Sequence, residues 1–164
     1  MKLNSKIIEI HLDDDSRRGI SFKFAKINEI KPDAFKNCRQ RKITSFSLQK
    51  KSEKEDYNLI ALNSKHSSLF EPLKEHLEEL HLSCYLECDF NFLEHSNNLK
   101  RLNLRYSDFR IGKLVFKQVN NRLEELDFRF CNLQLSDKTM FNDLKCLKHL
   151  DLSYVSFDDH VLPG

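Results

Sequence analysis

Glycine, proline and tryptophan are scarce in this sequence of 164 residues, which has three Gly, three Pro and no Trp. Collagen-like and low-complexity chains contain far more Gly and Pro, so the composition excludes both classes. Three glycines are also too few for a loop that cradles a phosphate, and no G-x-x-x-x-G-K, G-x-S-x-G or H-E-x-x-H motif occurs. We therefore expect no enzymatic activity.

Long apolar runs and abundant cysteine are missing as well. No stretch approaches 18 consecutive apolar residues, so the sequence predicts no membrane span. Lys6, Glu9 and His11 interrupt the N-terminal segment, which argues against a signal peptide. The five cysteines are an odd number and too sparse for a disulfide scaffold. These features favour a cytoplasmic location, unless the sequence is a fragment of a longer extracellular or cell-surface protein.

The charge balance shows no large excess of one sign. The chain has 27 Lys and Arg against 25 Asp and Glu, which gives a formal net charge of +2. A nucleic-acid-binding protein is expected to carry a strong basic stripe. The sequence contains no such stripe, so we do not expect nucleic acid as a partner.

Leucine and phenylalanine, by contrast, are abundant, with 25 Leu and 13 Phe. Segments that open as L-x-x-L-x-L or L-x-x-L-x-F begin at Leu77, Leu99, Leu123 and Leu147, in steps of 22, 24 and 24 residues. We call the segments that begin at these leucines units 1 to 4. Such an opening with a step of about 20–29 residues is the signature of leucine-rich repeats, which the sequence therefore resembles.

Each opening predicts a short strand whose alternate residues face a core. In unit 1, Leu80 and Leu82 are predicted to point inward, and Glu79, His81 and Ser83 outward. One unit cannot bury its apolar side alone, so we expect neighbouring units to stack about 4.8 Å apart into a parallel sheet. Apolar residues ten positions after the opening leucines predict a turn that leaves the sheet: Phe109, Leu133 and Phe157.

Phenylalanine also recurs behind the predicted strands. One ring lies six or seven residues before each opening leucine, namely Phe70, Phe92, Phe116 and Phe141. We predict that these rings form a column in the core, which explains the abundance of Phe. Cys131 and Cys146 fall at inward or near-inward positions of their units, where a buried free thiol behaves as a small apolar group.

The first half of the chain is a less regular version of the same pattern. Residues 43–48 open a unit that runs 34 residues to Leu77, and we predict that the excess is a solvated loop over residues 49–57. Residues 20–24 are predicted as the strand of an earlier unit. Residues 7–24 are predicted to form a β-hairpin that covers the N-terminal edge, as the terminal repeats of a solenoid require.

Together these patterns predict an α/β leucine-rich repeat solenoid of about six units, curved, with a parallel sheet on its concave side. Its predicted parts are a capping hairpin leading into the first repeat over residues 1–24, two irregular repeats over residues 25–76, and four regular repeats over residues 77–164. The last of these repeats is incomplete.

Within the leucine-rich repeat family, the 24-residue step and the phrase L-F-E-P-L-K-E-H-L-E-E-L of residues 69–80 resemble the extracellular animal class. Toll-like receptors and chaoptin-like adhesion proteins belong to that class. Its members recognise proteins or glycans on the concave sheet and need no cofactor. The resemblance therefore implies non-catalytic protein binding of receptor or adhesion type. The chain departs from the class at the ninth position of a unit, where Ser107, Cys131 and Val155 replace the common asparagine.

Two other roles stay open. The sequence Cys131-Asn132-Leu133 resembles the cysteine-containing repeats of intracellular F-box proteins, which implies a substrate-recognition adaptor of a ligase. Against this role, no F-box precedes the repeats in this sequence, and the units of those proteins are slightly longer. The chain is alternatively a purely structural segment of a longer solenoid.

Metal sites are not expected. His76, His81, Cys84 and Cys88 have the ligand types of a zinc site, but their spacing is not that of a known zinc finger. A solvated turn is the simpler interpretation of the three aspartates at 13–15, although carboxylates also hold cations. We therefore predict neither a metal nor another cofactor.

Charged residues alternate in sign from one opening to the next: Glu78-Glu79, Lys100-Arg101, Glu124-Glu125 and Lys148-His149. In a parallel sheet these residues lie side by side. Opposite charges on neighbouring strands contribute about 0.2–1 kcal/mol each. The alternation therefore predicts a set of ion pairs that fixes the register between units.

The candidate binding surface lies two or three residues farther along each strand. Tyr, Phe and Arg are enriched at the centres of protein interfaces, and a row of exposed rings is unfavourable unless a partner covers it. An alternative interpretation is that the rings pack on each other and on the adjoining loops. The predicted partner-binding residues are Arg105, Tyr106, Asp127, Arg129, Phe130, Asp151 and Tyr154.

Overall fold

The fold is taken from a computed structural model of the chain. It describes residues 19–23, 35, 42–49, 61–62, 67–83, 85–86, 93, 96–109, 122–133, 141–142 and 144–157. The helix in this part of the chain is short, α1 (Ser67–Phe70). The strands are β1 (Gly19–Lys23), β2 (Ser45–Gln49), β3 (Ala61–Leu62), β4 (Glu79–Leu82), β5 (Tyr85–Leu86), β6 (Arg101–Asn103), β7 (Asp108–Phe109), β8 (Glu125–Asp127), β9 (Asn132–Leu133), β10 (His149–Asp151) and β11 (Ser156–Phe157).

These strands form two sheets, and both follow the order of the chain. The first sheet has six strands in the order β1-β2-β4-β6-β8-β10, and the second has five in the order β3-β5-β7-β9-β11. Every neighbouring pair in both sheets is parallel. Each unit from residue 43 onward thus contributes one strand to each sheet. The parallel sheet that the repeats predict is confirmed.

The register of the first sheet places equivalent positions of successive units side by side. Phe46 pairs with Leu80, Leu80 with Leu102, Leu102 with Leu126, and Leu126 with Leu150. One carbonyl in each unit accepts two N–H groups of the next unit. For example, Glu124 N and Glu125 N lie 2.8 and 3.0 Å from the Lys100 carbonyl oxygen. The carbonyls that make this double contact belong to Thr44, Glu78, Lys100 and Glu124.

Alternate residues along these strands are buried, as predicted. Leu80 and Leu82 are fully buried, whereas Glu79, His81 and Ser83 are half-buried. The exception is Leu150, which is 41% exposed although Leu126 at the same position of unit 3 is 1% exposed. The alternating pattern predicts that Leu150 is buried, and this prediction is wrong. Strand β8 covers one side of β10, and no strand among the described residues covers the other.

The second sheet contradicts one prediction. Phe109, Leu133 and Phe157 were expected to mark a turn, but each lies in a two-residue strand of the second sheet. The physical reason is that stacking of the first strands also aligns the segments nine residues into each unit. Their backbones then lie within hydrogen-bonding distance, for example Ser156 N and the Cys131 carbonyl oxygen at 3.0 Å.

The second sheet also locates the extra residues of the long unit that begins at Ile43. Strand β3 starts 18 residues after Ile43, whereas β9 starts nine residues after Leu123. The additional residues therefore lie between β2 and β3, whereas Gln49, predicted as the first residue of the loop over 49–57, belongs to β2. Residues 50–60 themselves lie outside the described part of the chain.

One apolar cluster fills the interior between the strands and α1. Phe46 on β2 packs edge-on against Phe35 at 5.7 Å and against Phe70 at 5.4 Å between ring centroids. Farther along, Phe128 packs against Phe141 at 6.4 Å. Of the predicted column, Phe70 and Phe141 are described, and each packs against a phenylalanine of a strand, Phe70 against Phe46 and Phe141 against Phe128. Phe92 and Phe116 lie outside the described residues.

At the N-terminal end, β1 pairs parallel with β2 from Gly19 opposite Ser45 to Lys23 opposite Gln49. The strand predicted at 20–24 therefore corresponds to β1. The rest of the hairpin predicted over residues 7–24 lies outside the described residues, as do the aspartates at 13–15.

Leu126 and Leu150 form a matched pair for testing how much neighbouring strands contribute to stability. We predict that Leu126→Ala lowers the free energy of unfolding by about 2–5 kcal/mol, because it leaves a cavity between two strands. Leu150→Ala removes the same atoms from an open position and should cost less than half as much. Urea unfolding of both variants measures the difference, and equal losses would contradict the one-sided covering of β10.

Candidate functional site

The outward side chains of the first sheet form the row of alternating charges that the sequence predicts. Glu79 lies opposite Arg101 and forms an ion pair with it. Beside this pair, Lys100 Nζ lies 3.1 Å from Glu78 Oε2. Two units farther on, Lys148 Nζ lies 2.8 Å from Glu124 Oε2. Exposed pairs of this kind stabilise a protein little, so their main effect is to disfavour other registers.

Beyond the strands, the chain turns in the same way in units 2, 3 and 4. The side-chain Oδ1 atoms of Asn103, Asp127 and Asp151 each accept the N–H of the residue two positions later, at 3.1, 3.0 and 3.0 Å. Such a contact closes a turn locally, which is why Asn and Asp are frequent in turns. The repeated Asn or Asp therefore fixes the direction in which the next residues leave the sheet.

The residue three positions after each of these Asn or Asp residues is aromatic in all three units, and its backbone is left-handed. The φ angles of Tyr106, Phe130 and Tyr154 are 58°, 59° and 58°. A left-handed conformation costs a residue with a Cβ atom about 1–2 kcal/mol, and Gly, Asn or Asp usually occupies it. The backbone by itself would therefore favour a small residue at these positions. Because large rings are present instead, the rings must contribute something that glycine would not.

These three rings stack on one another. The centroids of Tyr106 and Phe130 are 4.8 Å apart with an interplanar angle of 8°. Those of Phe130 and Tyr154 are 4.7 Å apart at 2°. The spacing equals that of neighbouring strands, so the sheet sets it. Exposure increases along this aromatic ladder, with Phe130 42% and Tyr154 77% exposed.

Charged groups run beside the aromatic ladder and alternate in sign. Arg129 Nη2 lies 2.7 Å from Asp127 Oδ2, and Arg129 Nε lies 3.1 Å from Asp151 Oδ2. Arg105 Nε approaches Asp127 at 3.7 Å, and its guanidinium carbon lies 5.8 Å from the centroid of the Tyr106 ring. Hydrogen bonds to Asp127 raise the pKa of the Arg129 guanidinium, and hydrogen bonds from Ser153 lower the pKa of Asp151.

The seven residues predicted from the sequence therefore lie together on one surface formed by units 2 to 4. We call this surface, with its stacked rings and paired charges, the ladder surface. The stacking agrees with the interpretation that the rings pack on each other. Parts of Phe130 and Tyr154 nevertheless stay exposed to solvent, although Phe130 is stacked between the other two rings. Its members are Arg105, Tyr106, Asp127, Arg129, Phe130, Asp151 and Tyr154.

His81 extends this surface, whereas the sequence analysis predicted only that it points outward from its strand and did not include it in the binding surface. Its strand neighbour is Asn103, which in turn lies beside Asp127. Burial lowers the pKa of His81 from its ordinary value of 6.5; the Asp127 carboxylate opposes this shift and the Arg105 guanidinium adds to it. The position of His81 in its unit could have placed it on this surface. His81, Asn103 and Asp127 each follow the opening leucine of their unit by four residues.

Side chains at the ninth position of units 2 and 3 form hydrogen bonds to the preceding unit. Ser107 Oγ donates a hydrogen bond to the Leu82 carbonyl at 3.0 Å, and Cys131 Sγ donates one to the Leu104 carbonyl at 2.8 Å. Both side chains thus link their unit to the preceding one from a buried position. Val155 has no donor and packs partly buried against the core.

Among the cysteines, the prediction of an inward position for Cys131 is confirmed, since its side chain is buried. The prediction for Cys146 is wrong, because this thiol is exposed. Cys146 lies in a turn that closes from Leu144 to Leu147, and the Leu144 side chain fills the inward position instead. Cys84 and Cys88 lie outside the described residues. Within the described part, no group of three or more His, Cys, Asp or Glu side chains forms a metal site.

We predict that substitutions of two charged neighbours shift the pKa of His81 in opposite directions. Asp127→Asn removes the carboxylate charge but keeps the Oδ1 atom, so it should lower the pKa of His81 further. Arg105→Gln removes a positive charge and should raise it. NMR titration of the imidazole measures both shifts; the same direction in both variants would contradict the contacts. Because the folded state favours the neutral ring, stability should fall as pH drops below about 6.5.

Phe130 tests the strain in the turn. We predict that Phe130→Gly is at least about 1 kcal/mol more stable than Phe130→Val, because glycine adopts positive φ without strain and valine does not. At Leu126, where the strand is regular, the order should reverse. Urea unfolding of the four variants gives the comparison, and a more stable valine at both positions would contradict the strained backbone.

No protein-family model matches the chain, and a search of curated proteins finds no significant match. In the part of the chain that the structure describes, no helix is long and apolar enough to cross a membrane.

Proposed function

We propose that the chain is a leucine-rich repeat solenoid whose units stack around one continuous core. Three features support this architecture: the opening leucines recur every 22–24 residues, every strand pairs in parallel with its counterpart in the next unit, and the inward leucines form one cluster. The short helix and the two-residue strands are the return segments that such a repeat requires.

We further propose that this solenoid binds a protein partner without catalysis, through the ladder surface. The observation that carries the proposal is the row of three stacked aromatic residues on left-handed backbone, of which Phe130 and Tyr154 are exposed. Strained backbone persists where the surrounding structure holds it in place, and it is frequent at functional sites. Rings flanked by arginines are the side chains that dominate binding energy at protein interfaces.

The receptor or adhesion type of partner follows from the resemblance to extracellular animal leucine-rich repeats, and it stays part of the proposal. An intracellular adaptor role remains the alternative, because Cys131-Asn132-Leu133 resembles the cysteine-containing repeats of intracellular F-box proteins. A purely structural role has one specific observation in its favour, namely that the rings stack on each other. In that case the ladder would stabilise the stack of units and bind nothing.

The test of this proposal separates binding from folding. A double variant, Phe130→Gly with Tyr154→Gly, removes the exposed rings while relaxing the backbone at both positions. The control is Glu71→Gln, which breaks only the ion pair of Glu71 with Lys74 near α1. Affinity capture with the original chain and both variants, followed by quantitative mass spectrometry and titration of each recovered protein, compares their binding.

We expect one or more proteins to be recovered equally by the original chain and the Glu71→Gln control, and at least about tenfold less by the double variant, since hot-spot residues contribute about 2 kcal/mol or more each. All three chains should unfold at similar urea concentrations. If recovery is equal for all three, partner binding at the ladder surface is excluded. If the double variant loses stability without losing binding, the structural alternative is correct.

A further inference from the structure

Arg105 and Arg129 occupy the same position in units 2 and 3, but the carboxylates around them differ. Each follows the opening leucine of its unit by six residues. The residue two positions before the arginine is Asn103 in unit 2 and Asp127 in unit 3. Arg129 therefore has a carboxylate within its own unit, whereas Arg105 has a neutral amide at the equivalent place.

Arg129 contacts two acidic side chains. Its Nε and Nη2 atoms donate hydrogen bonds to Asp127 Oδ1 and Oδ2 at 3.0 and 2.7 Å. Its Nε atom also lies 3.1 Å from Asp151 Oδ2. A two-point contact between a guanidinium and a carboxylate is the strong form of this hydrogen bond. Arg129 is therefore held within the ladder surface by its own neighbours.

Arg105 has a weaker set of contacts. The carboxylate nearest to it among the described residues belongs to Asp127, with 3.7 Å between Arg105 Nε and Asp127 Oδ2. That carboxylate already accepts the backbone N–H and the side chain of Arg129. Arg105 Nε is buried without a hydrogen-bond acceptor in the described part of the chain. Because a guanidinium has five N–H donors, Arg105 keeps hydrogen-bonding capacity that Arg129 has used.

The side of Arg105 that faces unit 1 has no acidic residue at the equivalent positions. His81 lies beside Asn103 on the neighbouring strand, and Ser83 is the residue of unit 1 that corresponds to Arg105. Burial is the main cause of the lowered pKa of His81, and the positive charge of Arg105 adds to it. The ladder surface therefore carries its excess of positive charge at the end formed by units 1 and 2.

The Arg105 guanidinium lies beside an aromatic ring and is partly exposed. Its carbon is 5.8 Å from the centroid of the Tyr106 ring, which is within the range of a cation–π contact. The Arg105 side chain is 32% exposed, and the edge of the stacked Phe130 ring is exposed on the same surface. One ligand can therefore contact both the charge and the rings.

A carboxylate is the ligand chemistry that this arrangement favours. Arginine recognises carboxylates and phosphates through parallel N–H donors, and the edges of aromatic rings carry partial positive charge. Asp127 and Asp151 lie nearby, and they repel a phosphate group, with its charge of about −1.5 to −2, more strongly than a singly charged carboxylate. The adjoining rings favour a carboxylate that is presented together with aromatic side chains, as in a polypeptide.

We propose that Arg105 is the specificity-determining residue of the ladder surface. Its guanidinium binds the side-chain carboxylate of an aspartate or glutamate that a protein partner presents next to an aromatic residue. Arg129, by contrast, keeps a structural role in the ion pairs with Asp127 and Asp151. This inference rests on the function proposed for the ladder surface and names the chemistry of the partner.

Matched peptides test the proposal. The probe is acetyl-Phe-Glu-Phe-amide, and its control is acetyl-Phe-Gln-Phe-amide, which has nearly the same shape without the charge. Each peptide is titrated into the full 164-residue chain, and NMR spectra follow the backbone amides of residues 103–106. The Glu peptide should bind at least about tenfold more tightly than the Gln peptide, because only the former makes charge-assisted hydrogen bonds.

Two arginine variants locate this preference. Arg105→Gln should reduce the ratio of the two affinities to about one. The control is Arg122→Gln, which removes the same charge from an arginine outside the ladder surface, where it contacts Asn98. It should keep the preference of about tenfold. Urea unfolding of both variants checks that each chain is folded in the titration.

His81 supplies a second readout that a purely structural role of Arg105 would not change. Its strand neighbours Ser47 and Asn103 do not ionise, and the charged groups that act on the imidazole are Asp127 and Arg105. A carboxylate bound at Arg105 adds negative charge beside the ring and favours its protonated form. The Glu peptide should therefore raise the pKa of His81, and the Gln peptide should leave it unchanged.

Three outcomes would overturn the proposal: equal binding of the two peptides, a tenfold preference that survives Arg105→Gln, or no binding of the Glu peptide at millimolar concentration. Equal binding that the Phe130 and Tyr154 double variant abolishes would leave the function proposed for the ladder surface standing and remove only the carboxylate site. Failure of that function is recognised differently, by equal recovery of partners with the original chain and the double variant.

Discussion

The parallel register of successive units is the constraint on which the rest of the structure depends. At each step one carbonyl holds two N–H groups of the next unit, so equivalent residues cannot slide past one another without breaking both bonds. A shift by one residue would move Leu102 and Leu126 out of the core and bring charged side chains into it. Burial of the leucines and pairing of the backbones therefore enforce the same alignment.

Both ladders of the candidate site are consequences of this register. Because equivalent positions lie one strand spacing apart, an aromatic residue repeated every 24 residues produces rings about 4.8 Å apart, which is a stacking distance. In the same way, alternating Arg and Asp produce a line of ion pairs rather than isolated charges. The left-handed backbone at Tyr106 and Phe130 is held in place by hydrogen bonds from their amides to the following unit.

Much of this arrangement follows from the sequence because the relevant signals are periodic. The recurring leucines predict the inward residues of β4, β6 and β8, and the same period brings the seven site residues together. The two-residue strands of the second sheet recur with the same period, but two residues are too few to show the alternation that distinguishes a strand from a turn. The exposure of Leu150 depends on a neighbouring strand and not on its own unit. The left-handed backbone could not be predicted from the sequence either, since tyrosine and phenylalanine rarely adopt it.

The regularity that stabilises the interior also determines which groups stay exposed. Inside the sheet, each unit satisfies the carbonyls, the leucines and the charges of its neighbour, so an interior strand has little left to offer a ligand. Among the described residues, the groups without a neighbour on one side lie where the repeat pattern meets solvent. One such place is the row of turns, where exposed rings replace the glycine that the backbone would favour, and the other is the edge of β10, where Lys148, Leu150 and Tyr154 retain the contacts of an interior strand on one side only. These two surfaces differ in kind, because the first offers side chains and the second offers backbone.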